Sequence, residues 1–376
     1  MTANLLRTAR SAALGFAALA AAVMPAMAEP LRVAGVFTAP IQQQWVSRIR
    51  TALMAEVEAG EIEYVWAENV PNSDYIRVLR EYAQSGVDLI IGESSGIGRE
   101  ARATADAFPG VYFLVRDPHG SNFSPFETIL YEPAYLMGVM AGALTEAGVI
   151  GLLGGFPLPA LTNRPFNAFM EGARMVNEDV AFRVTFIESW FDPPRAREAA
   201  FGMVEEGADV LYAERDGVVG AAREQGVLAF GHMIDRNLGE NGAGVVVTSA
   251  LWDMGPAVRH AIEGVRAGDL GAEDFRRVMS LSAGGGSLAP LHDFEGVIDP
   301  ELVAMVEDLR AQIVAGKVAV PINDERPTGT RWGVAMHAAP DTLPPPGRCA
   351  RGGHPSCAWR ACRGASARWS PTRTSA

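Results

Sequence analysis

The feature that most constrains the fold is an alternation, starting at Leu31, of short β-branched apolar runs with longer stretches whose apolar residues recur at helical spacing. Residues 31–37, 62–66, 89–91 and 111–115 read as strands, and residues 43–59, 74–84 and 98–107 as the helices between them. Strands joined through helices run parallel, because an antiparallel pair needs only a tight turn. A second series follows the helical stretch 133–146, with strands at 149–153, 183–187, 210–213 and 227–230 and helices at 166–177, 194–206 and 218–225. Two such sets predict an α/β protein of two Rossmann-like lobes facing each other across a cleft. Ligands in sheets of this kind bind beyond the carboxyl ends of the strands.

A further strand at 245–247 and helices at 252–267 and 300–315 flank the Gly-rich stretch 282–287 and are expected to return to both lobes. The division read on this basis is residues 29–132 with 236–282 for the first lobe, and 133–235 with 283–327 for the second. A chain of 376 residues exceeds what one core usually organises, in keeping with two lobes. The net charge of -12 argues against nucleic acid and anionic lipid, both of which call for a basic surface.

The ends read differently from the middle. Arg7 and Arg10, the apolar residues 12–23 and Ala26-Met27-Ala28 form the pattern of an export signal with its cleavage site, so residues 1–28 are expected to be removed on export to a periplasm. The apolar part is short for a membrane span. With no cysteine near the cleavage site, a lipid anchor is not expected. Residues 328–376, rich in Pro, Arg, Ala and Gly, are expected to be disordered, and their composition is that of a frameshifted terminus in a GC-rich gene. All three cysteines, Cys349, Cys357 and Cys362, fall there, and their spacing with His354 is poor for zinc.

Enzymatic motifs are scarce, and the sequence calls for no cofactor and no metal. There is no nucleophile elbow, no paired-histidine zinc motif and no phosphate-binding lysine loop. The loop Gly92-Glu93-Ser94-Ser95-Gly96-Ile97-Gly98 joins a strand to a helix, so Ser94 and Ser95 are placed to meet a polar ligand atom or simply to cap the helix. Trp45 follows the first strand, close to Phe37, while Trp190 and Phe191 follow the strand at 183–187. One aromatic per lobe beyond strand carboxyl ends suits a clamp on a planar heterocycle, with core packing as the other reading for each tryptophan. Asp117 and Asp235 each follow an apolar strand and are placed to accept N–H groups of a ligand, or to cap, turn or pair with Arg116 or Arg236. Asp192, before two prolines, reads as a helix cap, and His119 and His232 as ordinary polar contacts.

The stretches Gly151-Leu152-Leu153-Gly154-Gly155-Phe156, Phe169-Met170-Glu171-Gly172-Ala173-Arg174, Glu188-Ser189-Trp190-Phe191-Asp192 and Glu206-Gly207-Ala208-Asp209-Val210 resemble the basic membrane protein family of ABC-importer substrate-binding proteins, whose members bind purines. The likeness runs over about residues 31–327. It implies a type I periplasmic-binding fold with three crossovers near 128–135, 231–237 and 280–289, and a monomer that delivers a purine to a permease. It also implies Trp45 and Trp190 as the clamp, and Asp117 and Asp235 as polar partners. This chain departs from the family in having Ile41-Gln42-Gln43-Gln44-Trp45 in place of a D-x-S-F-N-Q segment, and Leu251-Trp252 where relatives carry a ribose-contacting lysine. Trp252 cannot replace a cationic donor, which favours a free nucleobase such as adenine over a nucleoside. A secreted nucleoside hydrolase using Asp117 or Asp235 as general base, and a sensor of the same fold, are the competing readings.

Overall fold

The computed structural model describes residues 29–93, 98–116, 122–124, 126, 128–269, 275 and 277–329. The expected export signal, nearly all of the C-terminal tail, and Ser94, Ser95, Asp117 and His119 lie outside the described residues.

In the first lobe the order is β1 (Leu31–Val36), α1 (Gln44–Glu58), β2 (Ile62–Ala67), α2 (Asn72–Gln84), β3 (Leu89–Glu93), α3 (Gly98–Ala107), β4 (Tyr112–Arg116) and β5 (Phe123–Ser124). The sheet runs β2-β1-β3-β4-β5, every pair parallel. The inner strands β1, β3 and β4 are largely buried because both faces are covered, whereas the edge strand β2 is half exposed. Val36, Ile90 and Phe113 pack under α2 and α3, while Val33, Leu89 and Leu114 belong to the large core that includes Ile49 and Leu53 of α1.

The second lobe contains α4 (Tyr131–Leu144), β6 (Val149–Gly154), α5 (Arg164–Val176), β7 (Ala181–Phe186), α6 (Pro193–Glu205), β8 (Val210–Ala213), α7 (Val218–Gln225), β9 (Leu228–Met233) and β10 (Val246–Trp252). After β10 come α8 (Gly255–Ala267), which packs on α1 and β3 of the first lobe, then β11 (Gly286–Leu288) and α9 (Pro300–Val314), which packs on α4. The second sheet runs β11-β10-β9-β8-β6-β7, parallel except for β10 with β11. Helices α4 and α5 approach closely because Gly138 and Gly172 lack side chains: a Cβ on either would collide with a backbone carbonyl, of Phe169 or Tyr135 respectively.

The lobe division departs from the sequence reading at β10. Residues 236–282 are expected in the first lobe, yet β10 pairs with β9 in the second sheet (Ala250 opposite His232, Leu251 opposite Met233), and α8 goes back. An apolar run marks a strand without specifying its neighbour. The helix expected from residue 252 starts at Gly255, because Trp252 ends β10 and the Asp253 carboxylate accepts the Gly255 N–H at 2.8 Å. The second crossover, expected at 231–237, therefore lies at Asp253–Met254. The other two pass through residues 126, 128–130 and 280–285. All three are joined: Asp253 N–H donates to the Gly285 carbonyl (2.9 Å), Leu281 N–H donates to the Glu132 carboxylate (2.7 Å), and Gly286 lies against the Ile129 carbonyl.

Candidate ligand-binding cleft

The carboxyl end of β1 leads directly into the site. Gln43 caps α1, its side-chain oxygen accepting the N–H of Trp45 (2.8 Å) and of Val46 (3.1 Å), which fixes Trp45 in the first helical turn. The indole stacks on Phe126 of the first crossover (5.7 Å, 20°) and on Trp252 at the end of β10 (5.5 Å, 26°), and Phe126 lies 6.3 Å from Trp252. These three flat rings stand at the seam between the lobes. Trp45 is 7% exposed and Trp252 is fully buried. Both indole N–H groups are buried without a hydrogen-bond partner among the described residues. A planar guest between two rings needs them about 7 Å apart, two layers of carbon contact, so Trp45 and Trp252 pack on each other and leave no slot between them.

Trp190 sits in the loop after β7 and is 38% exposed, with Phe191 more exposed still. Its ring meets Phe156, beyond the end of β6 (4.9 Å, 56°), and carries the Arg215 guanidinium 5.2 Å from its centroid. Gly155 makes this approach feasible, since a Cβ there would lie 2.9 Å from the indole. The expected pairing of Trp45 with Trp190 is thus not what the structure brings together. Trp45 partners Phe126 and Trp252 at the seam, and Trp190 partners Phe156 and Arg215 within the second lobe. Phe37, also a candidate, is fully buried in the core.

A buried ion pair that sequence reasoning missed supports Trp190. Glu214 and Arg215 follow β8, with side chains 1% and 5% exposed, joined by two hydrogen bonds of 2.6 Å. Glu214 also accepts the Gly155 N–H (2.9 Å), and Arg215 donates to the Trp190 carbonyl (2.6 Å). Two charges directly after an apolar strand were the available signal.

Asp235, beyond β9, has both carboxylate oxygens engaged by the protein: one accepts the Asn237 N–H (3.1 Å) and the other lies 2.7 Å from His292 Nε2. Between them Arg236 reaches Asp216 of the second lobe and Gln44 of α1. His232 is buried against the Tyr212 hydroxyl (2.8 Å), and burial, with Arg215 and Arg236 adding to it, holds the imidazole well below its ordinary pKa. Asp192 caps α6, accepting the Arg195 N–H at 3.1 Å. Among the described residues no three His, Cys, Asp or Glu side chains gather as a metal site, and no helix is long and apolar enough to cross a membrane.

Aromatic and charged groups at the carboxyl ends of two parallel sheets suit capture of a small polar or heterocyclic solute. Comparison with known proteins agrees with that arrangement. In fold, the chain matches a solved ABC transporter solute-binding protein from Conexibacter woesei with a TM-score of 0.65 at 22% identity, covering 78% of this chain and 99% of that one. A second, from Aeropyrum pernix, matches with a TM-score of 0.63 at 17% identity, covering 78% and 94%. In sequence, it is 33% identical over 263 residues to a putative ABC transporter glucose-binding protein of Haloferax volcanii, and 30% identical over 187 residues to a purine-binding protein of Brucella abortus. These alignments cover 67% and 48% of this chain, and 65% and 53% of the relatives, so the chain spans just under two thirds of the one and about half of the other. Basic membrane protein A of Borreliella burgdorferi is 26% identical over 288 residues, 71% of this chain and 80% of that protein. The family model described as ABC transporter substrate-binding protein PnrA-like matches residues 44–278, and the chain belongs to that family.

Proposed function

We propose that this protein captures a purine, as free nucleobase or nucleoside, between its lobes in the periplasm and hands it to the permease of an ABC importer. The observation that carries the reading is the concentration of flat rings at the carboxyl ends of both sheets, Trp45, Phe126 and Trp252 at the seam and Trp190 with Phe156 on the second lobe. Stacking a base on such a ring is worth about 1–3 kcal/mol. Since Trp45 is largely covered, Trp190 is the ring that meets the base, and the Trp45 group forms the wall opposite. Asp117, Ser94 and Ser95 complete the polar contacts from the first lobe. The family is one of binding proteins, and capture followed by closure requires no covalent chemistry. The mature protein is proposed to be a monomer, exported by residues 1–28.

A hexose is the second reading, favoured by the Haloferax relative named for glucose binding, because sugar rings also lie against indoles. Denaturing the purified protein and identifying the released small molecule by mass spectrometry, followed by calorimetry with adenine, adenosine, guanosine, hypoxanthine and glucose, separates the two. Binding of glucose with no purine bound overturns the purine reading. Release of free base from adenosine would reveal a hydrolase.

A further inference from the structure

We propose that Arg236 is a positioning residue for lobe closure, a latch that fastens the first turn of α1 to the second lobe beside the aromatic seam. One arm of its guanidinium pairs with Asp216 at the start of the α7 segment, and the other donates to the side-chain oxygen of Gln44, the first residue of α1. Gln44 is 8% exposed and the Arg236 side chain 13%, so the contact is shielded from water and worth more than a surface pair.

The geometry around Arg236 is built for this placement. Its N–H donates to Ser249 Oγ of β10 (3.1 Å), and its stem lies over Gly231, where a Cβ would come within 2.7 Å of Arg236 Cγ. On either side, Asp235 is held by His292 and the Asn237 side chain donates to the Val246 carbonyl (3.0 Å), so the loop carrying the arginine is pinned at both shoulders. The latch therefore transmits position. Asp216 follows Arg215, whose guanidinium holds Trp190, and Gln44 precedes Trp45, so one run of contacts joins the second-lobe tryptophan to the seam. A second bond, Arg48 Nε to the Trp252 carbonyl at 2.7 Å, ties α1 to the end of β10 and stays in place when Arg236 is changed. This role does not depend on which solute the cleft takes.

Hydrogen exchange followed by mass spectrometry on the full, ligand-free chain tests it. Arg236→Met and Gln44→Leu are each expected to speed exchange of the Trp45, Val46 and Ser47 amides roughly tenfold, as loss of one charge-assisted bond implies, with the double variant no faster than either single one. If Arg236→Met does not fold, Gln44→Leu decides alone, since Gln43 still caps the helix. The proposal is overturned if the α1 amides are unchanged, if the two effects add, or if acceleration is confined to residues 234–242. In a second arm, stopped-flow release of adenine is expected to quicken by a similar factor in both variants. Adenine failing to bind the unaltered protein would count against the purine reading, while the exchange arm would still decide the latch.

Discussion

Replacing Glu214 by alanine is the most direct test of how the second-lobe side of the cleft is held. The carboxylate makes two hydrogen bonds of 2.6 Å to Arg215 and one of 2.9 Å to the Gly155 N–H, and both charged side chains are at least 95% buried. Removing it leaves a guanidinium with no counter-charge in a site closed to water. Breaking one partner out of such a pair costs about 3–5 kcal/mol, far above the ~0.5 kcal/mol of an exposed pair. At about 2–4 °C per kcal/mol, the melting midpoint should fall by roughly 6–20 °C. Glu214→Gln, which keeps one acceptor oxygen, should fall between that and the unaltered protein. Glu307→Ala, which removes the exposed pair with Arg310, serves as the control. Scanning calorimetry of the three variants reads the result. A Glu214→Ala midpoint indistinguishable from that of Glu307→Ala would refute the reasoning, because it would mean that water reaches Arg215.

Three further outcomes follow from the same geometry. Trp190→Ala should weaken purine binding by roughly 5- to 150-fold in calorimetry and also lower the melting midpoint, because the ring covers the Arg215 guanidinium. Gly172→Ala should destabilise by about 2 kcal/mol in urea unfolding despite a gain of about 1 kcal/mol in helix propensity, because the new Cβ meets the Tyr135 carbonyl and pushes α5 from α4. His232 is held neutral in the fold and titrates near 6.5 once exposed, so the unfolded chain binds the extra proton first as pH drops. Its contribution to stability is complete above about pH 6.5 and is lost on acidification below that value. Melting midpoints across that range should show the decline, and His232→Gln should flatten it.

Most of the strands and helices were legible because each is an apolar run or a helical-period stretch bounded by turn residues. β5 and β11 were not, being two and three residues long. The sheet to which β10 belongs was also hidden: Val246–Trp252 is mostly apolar, with Thr248 and Ser249 inside it, and its neighbour is set by register against β9, a tertiary property. At the cleft, sequence position identified Trp45 and Trp190 as residues beyond strand ends. It did not reveal which way each ring turns, since that depends on the Gln43 cap for one and on Gly155 and Arg215 for the other. Glu214 and Arg215 went unmarked because hydropathy sees only two polar neighbours, whereas their burial comes from Gly155 and Trp190, distant in the chain. The pairing of Asp235 with His292 spans 57 residues and left no local trace.

The bonding among the three crossovers has a mechanical consequence. A single strap would let the halves swivel and twist, and two would still allow rotation about the line between them. Three straps stitched to one another through Asp253 with Gly285, Leu281 with Glu132, and Gly286 against Ile129 leave bending as the compliant direction. Opening and shutting then retrace one narrow path, so little orientational freedom is surrendered when the jaws meet.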